Sequence, residues 1–272
     1  MIIDIAHPQP VNIPRLRQIW REAFGDAEDF LDSFFSVGFC PERCLCAFFG
    51  EEPVAAIYWF DAAVRGKKVA YLYALATDED YRGRGIARQL LDATHDLLRQ
   101  RDYHAALLVP GTRQLGSWYQ RLGYEYCCSN ANFPCRAADT PVPLRAVTSA
   151  EYGLLRKRYL PEGSVEQDDA TLAFLATQAQ LYAGENFLMA AWRNYFDLLI
   201  ALEFLGDISA IPGILRALEA PVARIFTPIS AAREYYGGSV PPYVDTDMLL
   251  PMFHPLQDPA LAPPAYFAFP FN

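Results

Sequence analysis

Apolar positions along this chain switch between a period near two and a period near 3.6, and the switches mark its elements. Residues 2–6 read as an opening strand. Residues 13–24 carry Leu16, Ile19, Trp20, Ala23 and Phe24 at helical spacing with Pro14 in the first turn, which predicts an amphipathic helix. A second, aromatic helix follows over 28–35. Residues 44–49 and 54–63 are strand-like runs about Gly50-Glu51-Glu52-Pro53 and predict a hairpin. A tyrosine-rich strand over 68–77 ends at the acidic turn Asp78-Glu79-Asp80. From Gly85 the helical period returns, with Ile86, Leu90, Leu91, Leu97 and Leu98 on one face. Arg88, Gln89, Asp92, His95 and Asp96 fall largely on the other. A strand at 104–109 and a helix over 111–122 follow, with Gly123 suited to closing the helix.

Between the tyrosine-rich strand and its helix stands Arg82-Gly83-Arg84-Gly85-Ile86-Ala87. A glycine turn that opens a helix presents unpaired backbone N–H groups at the positive end of the helix dipole. Gly83 and Gly85 allow close approach of the backbone, Arg82 and Arg84 add positive charge, and the ligand such a turn suits is a phosphate or diphosphate. Alone, the hexad also fits an ordinary charged surface turn. It lacks the third glycine of a dinucleotide fingerprint and the Gly-Lys-Ser/Thr of a Walker loop. Strand, glycine turn, helix, strand and helix together form a βαβ unit, whose two strands are expected to be parallel with a right-handed crossover.

At these residues the chain resembles the GNAT superfamily of N-acetyltransferases. The family's diphosphate turn, Arg/Gln-x-x-Gly-x-Gly/Ala, is met by Arg82, Gly85 and Ala87. Its later motif, Asn-x-x-Ala-x-x-Leu-Tyr-x-x-x-Gly-Phe/Tyr, is met by Tyr119, Gly123 and Tyr124, with Thr112, Leu115 and Trp118 at the three other places. The element order of the first half matches the family layout. The resemblance implies a mixed α/β fold of the GNAT acyltransferase type. It implies acetyl-CoA as co-substrate, bound by the hexad and by the backbone of Ala74, Leu75 and Ala76 where the parallel strands splay apart. It also implies direct transfer of the acetyl group to a primary amine of a small molecule or peptide.

Tyr119 is then the candidate catalytic residue. Once an amine has attacked the thioester, a thiolate must leave, and a phenol of ordinary pKa ~10 can give it a proton or a hydrogen bond. A core tyrosine beside Trp118 is the competing account. The base that would deprotonate the amine is left open among Asp61, Glu203, the terminal carboxylate of Asn272, and a water chain past Tyr71 and Tyr73. A CoA-binding sensor or scaffold without turnover, and a transferase using another acyl-CoA, are the alternative functions.

Residues 137–143 turn to small residues and proline, which suggests two domains, 1–138 and 139–272. The second half starts the plan again: a strand at 143–147, a helix capped by Thr148 or Ser149 with Glu151 as capping-box partner, and a helix over 168–182. Strands near 186–193 and 195–204, a helix over 210–218 and a strand at 222–226 complete a diverged GNAT-like copy; an unrelated α+β domain is the alternative. Its loop, Gly206-Asp207-Ile208-Ser209-Ala210-Ile211-Pro212-Gly213, has no arginine and sets Asp207 where a phosphate would lie. The copy is therefore read as a structural and substrate-shaping partner. The aromatic tail, 263–272, should dock, since burying each ring is worth roughly 1.5–3 kcal/mol. It would cover the second domain or close the acceptor cleft.

At 272 residues the chain has room for two domains, and with 52% hydrophobic and 20% charged residues it has ordinary globular composition. A net charge of −9 disfavours nucleic acid as a partner and mildly favours cationic amines. Six cysteines without a C-x-x-C pair and four scattered histidines lack zinc-ligand spacing, so no metal is expected, and buried thiols fit a reducing cytoplasm. Residues 1–8 lack the basic start and apolar core of a signal peptide, and no uncharged apolar stretch nears the ~20 residues a membrane helix needs. A soluble, cytoplasmic protein is expected.

Overall fold

The computed structural model describes residues 2–238 and 250–268. The chain packs into two compact units, one made of residues up to Val109 with Phe253–Ala262, the other of Pro110–Met252 with residues from Pro263 onward.

The first unit opens with strand β1 (Asp4–Ala6), helix α1 (Ile13–Phe24) and helix α2 (Glu28–Ser33), which runs into a π-helical turn at Phe34–Gly38. The strands β2 (Cys44–Phe49), β3 (Glu52–Val64) and β4 (Lys67–Thr77) follow, then helix α3 (Ile86–Gln100) and strand β5 (Ala105–Leu108). The strands lie side by side in sequence order, and Met252–Pro255 joins the sheet beyond β5. β1 to β4 are antiparallel neighbours, whereas β5 is parallel to β4, as the βαβ reading requires. The hairpin turn is shorter than the sequence suggests: Phe49 pairs with Glu52, and Gly50 takes φ +62° at the first turn position, where a two-residue hairpin favours glycine.

α1 buries Leu16, Ile19 and Trp20, but Phe24, expected on the same face, is 47% exposed because the helix ends there at a left-handed Gly25. Trp20 sits among Phe34, Tyr58 and Tyr73 at ring separations of 4.5, 5.1 and 5.5 Å, so an aromatic cluster fastens α1 and α2 to the sheet. α3 corrects a second expectation. His95 lies inside, stacked at 5.0 Å on His254 from the returning segment, and not on the polar face.

The second unit contains helix α4 (Arg113–Gln120), strands β6 (Glu125–Tyr126), β7 (Asn130–Arg136) and β8 (Arg145–Ala146), helix α5 (Ser149–Tyr159), strand β9 (Val165–Gln167) and helix α6 (Asp169–Gln178). Strands β10 (Gln180–Ala183), β11 (Phe187–Arg193) and β12 (Leu199–Gly206), helix α7 (Ile211–Ala217), strand β13 (Val222–Pro228) and helix α8 (Ile229–Tyr235) follow. Its sheet runs β7-β13-β12-β11-β10-β8, antiparallel except for the β12–β13 pair. Thus each unit holds a mixed sheet that includes a parallel pair, and the α/β fold class stands.

Three local expectations change. The helix expected over 168–182 stops at Gln178, and its last residues form β10, paired with β11. Tyr195 and Phe196 lie at the tip of the β11–β12 hairpin, 95% and 85% exposed, and β12 begins only at Leu199. Thr148 does cap α5 by accepting the Glu151 N–H at 3.2 Å, but the Glu151 carboxylate pairs with Arg145 and does not complete the capping box. The tail docks within this unit. Tyr266, Phe267 and Ala268 are buried, the Val165 N–H donates to the Tyr266 carbonyl at 2.9 Å, and Asn130 Nδ2 donates to the Phe267 carbonyl at 2.7 Å. Phe269 to Asn272, with the carboxylate considered as a base, lie outside the described residues.

Candidate functional site

β4 is bent where the site begins. Across the β3 pairing, Ala76 faces Ala56 and Tyr73 faces Tyr58, so two residues of β4, Ala74 and Leu75, stand opposite the single residue Ile57. Such a bulge turns the strand and breaks its ladder. Ala74 takes φ +50°, a left-handed conformation that is strained for a residue with a Cβ by on the order of 1–3 kcal/mol. On the other edge, the parallel register with β5 covers only Val69 to Tyr71, ending at Tyr71 opposite Leu107. Beyond that point Ala74, Leu75 and Ala76 lie outside the β5 register.

The turn that follows is built by its own backbone. Asp78 caps a 3₁₀ turn, Glu79–Tyr81, by accepting the Asp80 N–H at 2.8 Å, and its own N–H donates to the Val54 carbonyl at 2.9 Å. Gly83 and Gly85 follow at φ +74° and +77°, exposed, with nothing within 4 Å of where a Cβ would stand. Gly85 is the residue that opens α3. The first intrahelical bond is donated by Gln89 to the Gly85 carbonyl at 3.1 Å, so the N–H groups of Ile86, Ala87 and Arg88 precede the helical ladder. The Ile86 side chain is buried and anchors this end, leaving its main chain to face the turn.

Arg82 and Arg84 do more than add charge. Arg82 Nε donates to the Thr77 carbonyl at 3.0 Å, and an Arg84 terminal nitrogen donates to the Asp80 carbonyl at 2.8 Å, with its guanidinium 5.4 Å from the Tyr81 ring centre. Both side chains are exposed and help shape the turn. Sequence reasoning missed Arg15, which pairs through one terminal nitrogen with Asp78 and through Nε with Glu52 at 2.8 Å. The acidic residue just before the turn, at the end of a strand, was the available signal for Asp78; its partner comes from a distant helix.

Tyr119 belongs to the second compact unit, on α4. It is buried and packs edge-on against Trp118 and Tyr124 at 4.8 and 5.5 Å. Burial pushes its phenol well above its ordinary value, so the hydroxyl stays protonated and suits a donor. Thr112, which stands in the place of the motif's asparagine, spends its hydroxyl on the helix cap, accepting the Leu115 N–H at 3.1 Å. Gly123 closes the helix at φ +87°. Gly116 lies beneath Tyr126, whose hydroxyl a Cβ would meet at 1.9 Å.

The candidate bases fare differently. Asp61 pairs with Ala70 in the β3–β4 register, four residues before Ala74, which puts it about 13 Å along the strand from the bulge. There it accepts the Tyr103 hydroxyl and faces Arg43. Glu203 is buried in a two-pronged pair with Arg156, at 2.9 Å on each oxygen, and accepts the Tyr152 hydroxyl at 2.8 Å. Its lone pairs are occupied, so it acts as a core anchor and is withdrawn as a base. Tyr71 and Tyr73 are buried in the aromatic cluster, where burial pushes both phenols up.

The second unit repeats the strand geometry without the turn. β12 carries an extra residue between its pairings to Ala190 and Ala191, and its parallel register with β13 also spans three pairs, ending at Ala201 opposite Ile225. Here, however, Thr227 Oγ1 donates across to the Phe204 carbonyl at 2.8 Å. Asp207 caps its own turn through the Ser209 N–H at 3.0 Å, and Pro212 at the start of α7 has no N–H to offer. Among the described residues no group of three or more His, Cys, Asp or Glu could hold a metal, and no helix is long and apolar enough to cross a membrane.

This geometry, a bulged strand beside a glycine turn and a splayed parallel neighbour, is that of an acyl-CoA acyltransferase fold. Residues 4–127 match the family model of the acetyltransferase (GNAT) domain. No curated protein matches it by sequence. Among solved structures it is similar to a GCN5-related N-acetyltransferase from Kribbella flavida, with TM-score 0.66, 17% identity, and 94% of this chain and 72% of that one covered. A GCN5-related N-acetyltransferase from Anabaena variabilis matches with TM-score 0.70 and 16% identity, covering 94% and 73%. Eis1 from Mycobacterium abscessus matches with TM-score 0.70 and 14% identity, covering 94% and 74%. At these identities the likeness is one of fold, and it extends over both sheets.

Proposed function

We propose that this protein is an N-acetyltransferase that moves the acetyl group of acetyl-CoA directly to a primary amine of a small-molecule or peptide acceptor. The observation that carries the reading is the exposed turn with two left-handed glycines opening α3 beside the bulge of β4. In this reading the N–H groups of Gly83, Arg84, Gly85, Ile86 and Ala87 receive the diphosphate, with Arg82 and Arg84 balancing its charge. The freed backbone of Ala74, Leu75 and Ala76 completes its ladder with the amides of the pantetheine arm. Attack of the neutral amine on the thioester carbon forms the C–N bond, the C–S bond breaks, and the Tyr119 hydroxyl gives its proton to the departing sulfur, while the nitrogen sheds one proton to water and water reprotonates the phenolate. Residues 1–138 are assigned the acyl-CoA chemistry. Residues 139–272 are assigned the role of a diverged GNAT-like copy that shapes the acceptor side. The bulge and short parallel register of β12 support descent from the same plan.

A thiol-release assay with acetyl-CoA over a panel of amines, alongside calorimetry with coenzyme A, tests the reading. Acceptor-dependent release, lost together with coenzyme A binding in Arg82→Glu/Gly85→Asp, is the expected result. A parent that gives no heat with coenzyme A refutes it. One observation favours a second reading, a CoA-binding sensor without turnover: Glu203 is locked in an ion pair and Asp61 lies at the far end of its strand. Tight coenzyme A binding without release from any amine would select the sensor.

A further inference from the structure

We propose that Arg15, on α1, is a positioning residue for the diphosphate turn, acting through Asp78; the inference rests on the acyl-CoA reading above. Asp78 joins three pieces of backbone. Its N–H fixes the end of β4 to the Val54 carbonyl, one carboxylate oxygen caps the turn at Asp80, and its carbonyl accepts the Tyr81 N–H at 3.0 Å. The second carboxylate oxygen takes Arg15. Only 8% of the Asp78 side chain is exposed, so its charge is poorly screened by water.

That placement sets an electrostatic problem. A carboxylate held four residues before Arg82, at the root of a turn that receives a diphosphate, repels the ligand unless its charge is balanced locally. Arg15 supplies the balance with a side chain that is itself only 20% exposed and is braced on its far side by Glu52. Without it, Asp78 would draw on Arg82 and Arg84, the cations nearest to it in sequence. Those are the two side chains that hold the turn through the Thr77 and Asp80 carbonyls. Arg15 therefore keeps Asp78 in its capping role and leaves the turn's own arginines to the phosphate.

Calorimetric titration of the full chain with coenzyme A tests this in parent, Arg15→Gln, Arg15→Lys, Asp78→Asn and Arg15→Gln/Asp78→Asn. Arg15→Gln is expected to weaken coenzyme A binding by about tenfold, equivalent to about 1.4 kcal/mol. Arg15→Lys should recover much of the loss. The double variant should bind better than Arg15→Gln alone, because asparagine still caps Asp80 and carries no charge to balance. In turnover the loss should fall on KM for acetyl-CoA and spare KM for the amine. If the parent binds and Arg15→Gln binds as well, or if Asp78→Asn brings no recovery in that background, the inference falls and the family reading stands. A parent without heat removes both. If Arg15→Gln does not fold, the comparison of Arg15→Lys with parent and of Asp78→Asn with the double variant decides.

Discussion

Tyr119 and His95 show how burial changes what a side chain can do. The Tyr119 phenol is held protonated by its apolar surroundings, so its stabilising effect is complete below pH ~10 and fades only as pH rises toward its higher folded value. As a donor it should not limit activity anywhere in the neutral range. Tyr119→Phe is expected to lower kcat by about 10²-fold with coenzyme A affinity unchanged, read by steady-state kinetics and calorimetry. His95 has the opposite sign. Burial, then His254 and Arg99, pull its pKa from 6.5 down to about 3, so the folded state prefers the neutral ring. Stability contributed by that preference is present above pH ~6.5 and is lost as pH falls toward 3, with a slope of up to about 1.4 kcal/mol per pH unit. Urea unfolding between pH 7 and 4 should show this slope in the parent and a shallower one in His95→Phe. Helical spacing put His95 on the polar face because its chemistry is polar; the partner that buries it, His254, lies far down the chain. The left-handed turn at Gly83 and Gly85, by contrast, was legible because its spacing is local.

Among elements, the buried Arg156–Glu203 pair fastens α5 to β12, with Tyr152 closing the third side. Removing one charge leaves the other buried and unbalanced, so Glu203→Leu is expected to destabilise the fold by about 3–5 kcal/mol. Arg156→Met/Glu203→Leu together should recover most of that loss, measured by denaturant unfolding. A base role for Glu203 would instead make turnover of Glu203→Gln collapse while stability changed little. Elements came through the sequence where a cap or a periodic stripe marked them: α1, α3 and α5 begin within a residue of the expected place. The failures have a common physical origin. In 168–182 an Ala-, Leu- and Gln-rich run favours helix throughout, and pairing of β10 with β11 overrides that propensity at its end. At 195–204 two aromatics resemble a strand, yet Asn194 Oδ1 accepts the Phe196 and Leu198 N–H groups at 3.0 Å each and forms a hairpin tip.

For the molecule as a whole, the telling fact is that the first unit is assembled from two stretches far apart in sequence. Phe253 and Leu256 are buried in it, the Leu256 N–H donates to the His104 carbonyl at 2.8 Å, and Arg99 Nε donates to the Leu256 carbonyl at 3.1 Å. No local pattern announces such a return, since nothing in residues 250–262 refers to its distant partners. A fragment ending at residue 138 should therefore unfold at lower temperature and less cooperatively than the same fragment carrying residues 250–262 on a flexible linker. Equal melting curves would contradict this. During synthesis the N-terminal sheet must also wait, beside a bare β5, while roughly 140 intervening residues are made, on the order of ten seconds at ordinary elongation rates. The unit that carries the glycine turn can thus reach its final form only after residues 253–262 have left the ribosome.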